Sequence, residues 1–400
     1  MNHVNNKTVI GLAVAAGIAL IAAIALGTAR KPDAEHAGQV ATLALPELDN
    51  HLNDVKSFSI TGPGQKLLAT LEKDAGGWTL KEKGGYRADA GKVREYLLKL
   101  GQSRLLEAKT TNEQRYAELG LADIGATGST GVLLALDGLG KPVQLLLGNV
   151  NTRGDATFVR RAGDKQSWLA KGNLLPDKTA ANWLDKSIVD LPATRVREVV
   201  LNKPEGKPLR VFKQQPADTS YAVADLPRGR ELASEFAANS LGTTLAGLTF
   251  EDVLPAAQAA APADKLYRSS FAAFDGLVVE VTAWKKDDKF YAQLQARKDA
   301  AAADSGIAAA QARAKADWDA QQAAPAAAEA KPAAQPPLSV SDPAKDKSER
   351  LAALDAEVAR LNLHFNGWTY QLPQYKFANL EKSVDEYLKP LEEKKTTGKK

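Results

Sequence analysis

A tryptophan-bearing stretch occurs twice in this chain, and a fold for it has to accommodate both copies. Gly77-Trp78-Thr79 leads through a polar turn to Tyr86 and then to a helical pattern closing on Glu95-Tyr96-Leu97. Gly367-Trp368-Thr369 leads to Tyr375 and to a helical pattern closing on Glu386-Tyr387-Leu388. Two matched ends whose spacing differs by about one residue predict one supersecondary unit used twice: a strand with an inward Trp, a turn, and a helix lying back on the sheet.

The chain before and after the first copy fits that plan. Val55, Phe58 and Ile60 predict a strand, Gly62-Pro63-Gly64 a turn, and Leu67 to Leu71 a returning strand. Val93, Leu97, Leu98 and Leu100 form the apolar face of the helix, and Tyr116, Leu119 and Leu121 a compact apolar knot ended by Gly120 and Gly125. Alternating runs at Val132–Leu136, Val143–Leu147, Thr157–Arg160 and Ser167–Ala170, broken by Asp137-Gly138, Asn151, Gly154 and Gly163-Asp164, predict an antiparallel meander. Trp183, Leu184, Ile188 and Leu191 predict a closing helix that ends at Pro192.

From Arg195 the cycle restarts. Val196, Val199 and Leu201 answer the first strand, Leu209–Phe212 the second, and Tyr221–Val223 stands where Trp78 stood. A helix around Leu232 to Leu241 and the apolar group Leu248, Phe250, Val253 and Leu254 follow. The second meander runs from Phe271 through Val278–Ala283 and Phe290–Ala296, is interrupted, and resumes at Trp368. The fold class expected is α+β: two related repeats of antiparallel meander plus helix.

The interruption, 299–362, is rich in alanine and proline. Ile307, Ala310, Ala314 and Trp318 keep a helical stripe, alanine favours helix, and Pro325, Pro332, Pro336, Pro337 and Pro343 forbid a continuous one. Leu351, Leu354, Val358 and Leu361 make two heptads. Two helical arms projecting as an antiparallel pair are one reading; a loosely packed insertion that buries little apolar area is the other.

Val9 to Gly27 is uncharged and almost wholly aliphatic. Roughly 19 such residues rise about 28 Å as a helix, close to the hydrocarbon thickness of a bilayer. A retained transmembrane anchor is expected; a signal peptide cleaved near Gly27-Thr28-Ala29 is the competing reading. A short N-terminal tail stays inside while a long following domain translocates largely regardless of charge, which places the bulk of the chain in the periplasm. The expected divisions are a tail and anchor at 1–30, a stalk at 31–52, a first repeat at 53–193, a second at 194–298 closed by 363–392, the insertion at 299–362, and a basic tail at 393–400.

No stretch names a reaction. The chain has no cysteine, which excludes disulfides, thiolate metal sites and a cysteine nucleophile. A net charge of +4 over 400 residues gives no reason to expect nucleic acid. His3, His36, His51 and His364 are not spaced to share a helix face, so a zinc site of the usual kinds lacks ligands. The run from Gly85 to Lys92 has the wrong spacing for a phosphate loop, no Gly-x-Ser-x-Gly elbow occurs, and Ser129 sits in a turn-like polar run. Glu47 with Asp49, and Asp287 with Asp288, read as solvated turns; Trp78, Trp168, Trp183 and Trp368 read as core rather than as a ligand platform; Arg153, Arg160 and Arg161 read as facing solvent. No catalytic, cofactor-binding or metal residues are expected, and no cofactor.

With the anchor, the Leu45-Pro46-Glu47-Leu48 stalk, the Gly-Trp-Thr strands, the Tyr116-Ala117-Glu118-Leu119-Gly120-Leu121 knot and the two meanders in place, the chain resembles the bacterial family catalogued as domain of unknown function forty-three-forty. The resemblance implies an accessory role beside gliding-type ABC transporter auxiliary proteins, with a permease and an ATPase as partners, at the inner membrane. The function expected is therefore a non-enzymatic accessory subunit of an ABC-type transport or envelope-remodelling complex. A periplasmic glycan-binding module or envelope hydrolase is the alternative.

Overall fold

A computed structural model describes residues 42–323 and 335–390. The expected span at Val9–Gly27, the first half of the stalk, the prolines at 325 and 332 and the basic tail lie outside the described residues. Among the described residues no helix is long and apolar enough to cross a membrane. The architecture is α+β with antiparallel sheets, as the alternating patterns predict.

The chain divides into two compact units, one reaching to Leu68 and resuming from Arg94 to Pro176, the other holding Ala69–Val93 and everything from Asp177. In the first, six strands lie in the order β1-β6-β7-β8-β9-β5: β1 (Ser57–Gly62), β5 (Leu105–Ala108), β6 (Val132–Asp137), β7 (Val143–Val150), β8 (Ala156–Arg161) and β9 (Ser167–Lys171). All these pairings are antiparallel, with Ile60 opposite Leu134 and Leu134 opposite Leu145. Strict alternation in β1 buries Phe58 and Ile60 on one face. The stalk's Leu45 and Leu48 are buried here too, and Arg161 grips Glu47 with two bonds of 2.7 and 2.8 Å.

The chain leaves this unit along β2 (Lys66–Asp74), which pairs with β3 (Gly77–Leu80), itself paired with β4 (Tyr86–Arg87). It returns along α1 (Ala90–Gln102), whose start is fixed where the Asp89 carboxylate accepts from the Lys92 amide at 3.0 Å.

The second unit is built on an eight-stranded sheet in the order β13-β12-β11-β16-β17-β18-β19-β15. Its strands are β11 (Val196–Asn202), β12 (Leu209–Phe212), β13 (Ala222–Val223), β15 (Asp252–Pro255), β16 (Tyr267–Ala273), β17 (Leu277–Lys286), β18 (Lys289–Lys298) and β19 (Trp368–Leu372). A separate two-stranded ribbon joins β10 (Ser187–Val189) to β14 (Leu248–Thr249). The order β1-β6-β7-β8-β9-β5 in the first unit is repeated strand for strand as β11-β16-β17-β18-β19-β15.

The strand order recurs, but in a register that differs from the tryptophan match. Trp78 lies on β3 whereas Trp368 lies on β19, whose counterpart by strand order is β9, the strand of Trp168. The helix containing Tyr96 is a full α-helix, while Tyr387 closes a single 3-10 turn, Val384–Tyr387. The structural counterpart of that turn is Ala180–Trp183: each is followed by a leucine that makes an isolated bridge, Leu184 to Ala88 and Leu388 to Leu232. Two expected helices are also shorter. Ile188 belongs to β10, and the Leu232–Leu241 region yields only one turn, α2 (Asn239–Gly242).

The insertion folds. It consists of α3 (Ala300–Ala323), the single turn α4 (Leu338–Ser341) and α5 (Pro343–Phe365). Asp342 caps α5 by accepting from the Lys345 amide at 3.0 Å, with Pro343 at the first helical position, where its missing N–H costs nothing. Rather than projecting clear of the sheet, α5 buries Leu354, Leu361 and Phe365 and packs on β18. After α5, β19 and α6 (Gln374–Leu380) complete the unit.

Candidate binding site

The sheet of the second unit and the two arms line an open-mouthed cavity of about 570 Å³. One wall is a face of α3 carrying Ala302, Gly306, Ala309, Ala310 and Arg313; another is a face of α5 carrying Arg350, Ala353, Leu354 and Glu357. Residues three and four apart share a helix face, so each arm presents one continuous stripe. The remaining wall comes from Arg195 and Arg197 at the start of β11, the Phe274-Asp275 turn after β16, and Gln214–Pro216 after β12.

Two local features shape this wall. Val196 pairs with Ala273 and Glu198 with Ala272, so Arg197 is an extra residue in β11, a bulge that re-aims a side chain without ending the ladder. Gly306 lies where an added Cβ would meet the Phe274 carbonyl oxygen at 2.2 Å, so the backbone of α3 sits directly on the β16–β17 turn. A glycine inside an alanine-rich helix costs about 1 kcal/mol relative to alanine. Here the close approach explains it.

Electrostatically the site centres on Arg195. Its Nε donates to Asp275 at 2.6 Å, and its two Nη groups donate to the two oxygens of Glu357 at 2.8 and 2.6 Å. The hydrogen bond from Arg195 holds the Glu357 carboxyl below the usual range, and Glu357 in turn raises Arg195. This bidentate clamp ties the start of β11 to the middle of α5. At the rim, Gln311 donates to Asp346 at 2.9 Å and Lys347 pairs with Asp304 at 2.7 Å, so the arms are also joined to each other.

A second polar cluster lies in the same unit. Tyr86 packs edge-on against Phe250, Trp368 and Tyr370, with the Trp368 ring 4.9 Å away. Arg87 donates to His364 Nδ1, and His364 Nε2–H donates to the Ser187 carbonyl at 3.1 Å, an arrangement that fixes a neutral imidazole. Burial and then the Arg87 charge push the His364 pKa down to about 4. Tyr370 donates to the His364 carbonyl at 3.0 Å, and Arg87 Nε lies 2.9 Å from Asp185. The cluster joins β4, β10, β19 and the end of α5; among its buried polar atoms the Tyr86 hydroxyl and Arg87 Nε make no hydrogen bond, Arg87 Nε resting against the Asp185 carboxylate as an ion pair.

The residues considered from sequence are scattered. His51 is exposed and pairs with Asp54 at 2.7 Å; Asp287 and Asp288 form the hairpin turn between β17 and β18, both with positive φ (49° and 57°). Ser129 donates to the Ala122 carbonyl at 3.3 Å. Trp183 is fully buried, whereas Trp78, Trp168 and Trp368 are half-buried. Arg160 does not face solvent: it is 5% exposed, lies 4.4 Å over the Tyr116 ring and donates to the Leu121 carbonyl, locking the apolar knot. Arg161 is half-buried against Glu47, and Arg153 is exposed.

None of the cavity arginines stood out in the sequence. The available signals were Arg195 and Arg197 alternating at a strand start, and Arg350, Leu354 and Glu357 on one helical stripe. Residues 78–268 match the model of the family described as Domain of unknown function (DUF4340). The similarity opens inside β3 and closes inside β16, so it takes in Arg195, Arg197 and Gln214–Pro216 but stops before either arm. No curated protein matches the chain, and no solved structure does.

Proposed function

We propose that this chain is a non-enzymatic accessory subunit of an ABC-type transport or envelope-remodelling complex in bacteria, anchored in the inner membrane through Val9–Gly27 with its two repeats in the periplasm. The observation that carries a binding role is the cavity beneath the arms. Its volume is that of a small-molecule or peptide-end site, and its walls combine apolar side chains with a few placed guanidiniums. The bidentate pair between Arg195 and Glu357 makes the wall rigid, and preorganisation of this kind serves recognition. The family resemblance supplies the transport setting, with a permease and its ATPase as partners. A glycan-binding module is less well supported, because sugar rings stack on open tryptophan faces, whereas Trp183 is buried and Trp78, Trp168 and Trp368 are each half-buried.

Two measurements test this reading. A reporter fused after Lys400 is expected to be active only in its periplasmic form, and mild-detergent purification of the tagged chain is expected to bring down a permease. Cytoplasmic reporter activity would overturn the topology. A chain that purifies alone and is retained on peptidoglycan would overturn the accessory role in favour of a glycan-binding one.

A further inference from the structure

The carboxylates that line the cavity are committed: Asp275 and both oxygens of Glu357 are held by Arg195. Arg350 is held in part from outside the lining, by Asp346 at 2.9 Å. Arg197 and Arg313 line the same space, one from the sheet wall and one from α3, and among the described residues neither has an ion pair. The bulge at Arg197 is the irregularity that turns a strand residue toward a site. The same lining carries the apolar side chains of Phe274, Ile307, Ala310 and Leu354, with Gln214, Gln215 and Ser305 as its uncharged polar groups.

Guanidiniums bind carboxylate or phosphate through a planar fork of donors, and aliphatic walls favour methylenes over hydroxyls. A cationic ligand or a metal ion would need the acids that Arg195 already occupies. We infer that the cavity is a binding site for an anionic amphiphile, whose carboxylate or phosphate head is held by Arg197 and Arg313 and whose alkyl body lies against Phe274, Ile307, Ala310 and Leu354. The inference rests on the reading of the chain as a membrane-attached binding subunit, since a membrane surface is where such amphiphiles are concentrated.

The test uses the full chain in phosphatidylcholine nanodiscs and dodecanoate carrying a diazirine near its methyl end, photolysed and mapped by mass spectrometry. Adducts are expected within 302–313 and 350–357. Labelling should fall about tenfold with the corresponding alcohol, and by a similar factor in the Arg197→Gln/Arg313→Gln double variant, as the loss of charge-assisted bonds implies. Ala310→Trp, which fills the cavity and leaves the charges in place, should abolish labelling while the melting curve of the chain stays cooperative. Protection by unlabelled dodecanoate but not dodecyl phosphate would assign a fatty carboxylate, and the reverse a phosphorylated lipid; either supports the site. Equal labelling by acid and alcohol, adducts unchanged by both variants, or protection by neither competitor would overturn it. Loss of labelling with a permease still co-purifying would remove this ligand alone, whereas cavity adducts on a chain that purifies without a permease would leave the ligand standing and remove the accessory role.

Discussion

At the scale of single residues, the second unit pairs several of its partly buried charges, Arg195 with Glu357 among them, and keeps its partly buried histidine neutral. His364 accepts from Arg87 through Nδ1, so a proton there would remove the acceptor and set two cations side by side. An unfolded chain takes up that proton as pH falls below about 6.5, whereas the folded chain resists until about 4. The stabilisation is therefore complete above pH 6.5 and is lost progressively between 6.5 and 4. The melting temperature of the parent is expected to fall across that window, and that of His364→Gln to fall less steeply because the group that titrates is gone. Parallel slopes for the two proteins would show that His364 is not linked to folding. Acid also reaches the Arg195 clamp, but at lower pH: the contribution of the lowered Glu357 carboxyl is complete above its ordinary 4.5 and is lost as pH falls from there through its lower folded value. The sequence showed none of this. His364 was visible only as a histidine without a neighbouring ligand, because its partners Arg87 and Ser187 lie far away along the chain.

At the scale of elements, the informative contact is between α5 and the edge of β18. The strand β19 is short and meets β18 only at Phe290, Tyr291 and Ala292, which leaves the later part of β18 without a neighbouring strand on that side among the described residues. Asn362 supplies what a strand would. Its Oδ1 accepts from the Ala296 amide at 2.8 Å and its Nδ2 donates to the Ala296 carbonyl at 2.7 Å. Asn362→Ala should destabilise the chain by about 1–3 kcal/mol, since it orphans two partly buried backbone groups, while Leu363→Ala beside it should change stability by no more than about 0.5 kcal/mol. Leu363 is 83% exposed. Denaturant unfolding compares the two, and equal midpoints would show that water replaces Asn362 without loss. The heptad leucines of α5 predicted a helix and its apolar stripe correctly, because local periodicity determines both. What that stripe covers is a long-range matter, and a projecting pair and a helix laid on β18 have the same period. The four meander strands β6 to β9 were legible for the complementary reason: each is short, alternating and bounded by turn residues, so the pattern is complete within a few positions.

At the scale of the whole molecule, the repeated strand order places the arms. In the first unit the corner between β8 and β9 is crossed by the few residues from Ala162 to Gln166; in the second, the corresponding corner between β18 and β19 carries both arms. A frame that closes with a short turn at this corner suggests that the arms could be excised cleanly, but Leu354, Leu361, Phe365, Ala303 and Ile307 are buried, and burial of that kind is worth about 2–5 kcal/mol for each large side chain removed. Replacing 300–361 with a Gly/Ser linker is therefore expected to raise amide hydrogen exchange in β16, β17 and β18 while leaving β6 to β9 protected. Unchanged exchange in β18 would mean that the sheet does not need its helical cover. The tryptophan match found the existence of the duplication but set it in the wrong register, because a Gly-Trp-Thr triplet records a local strand environment and strand order is recorded only in long-range pairings. The duplication also gives the molecule an internal reference. Whatever the helical arms contribute, whether a ligand, a partner or protection of the sheet, should be present at one corner of one frame and missing from the matching corner of the other, so a single experiment on the intact chain contains both the sample and its blank.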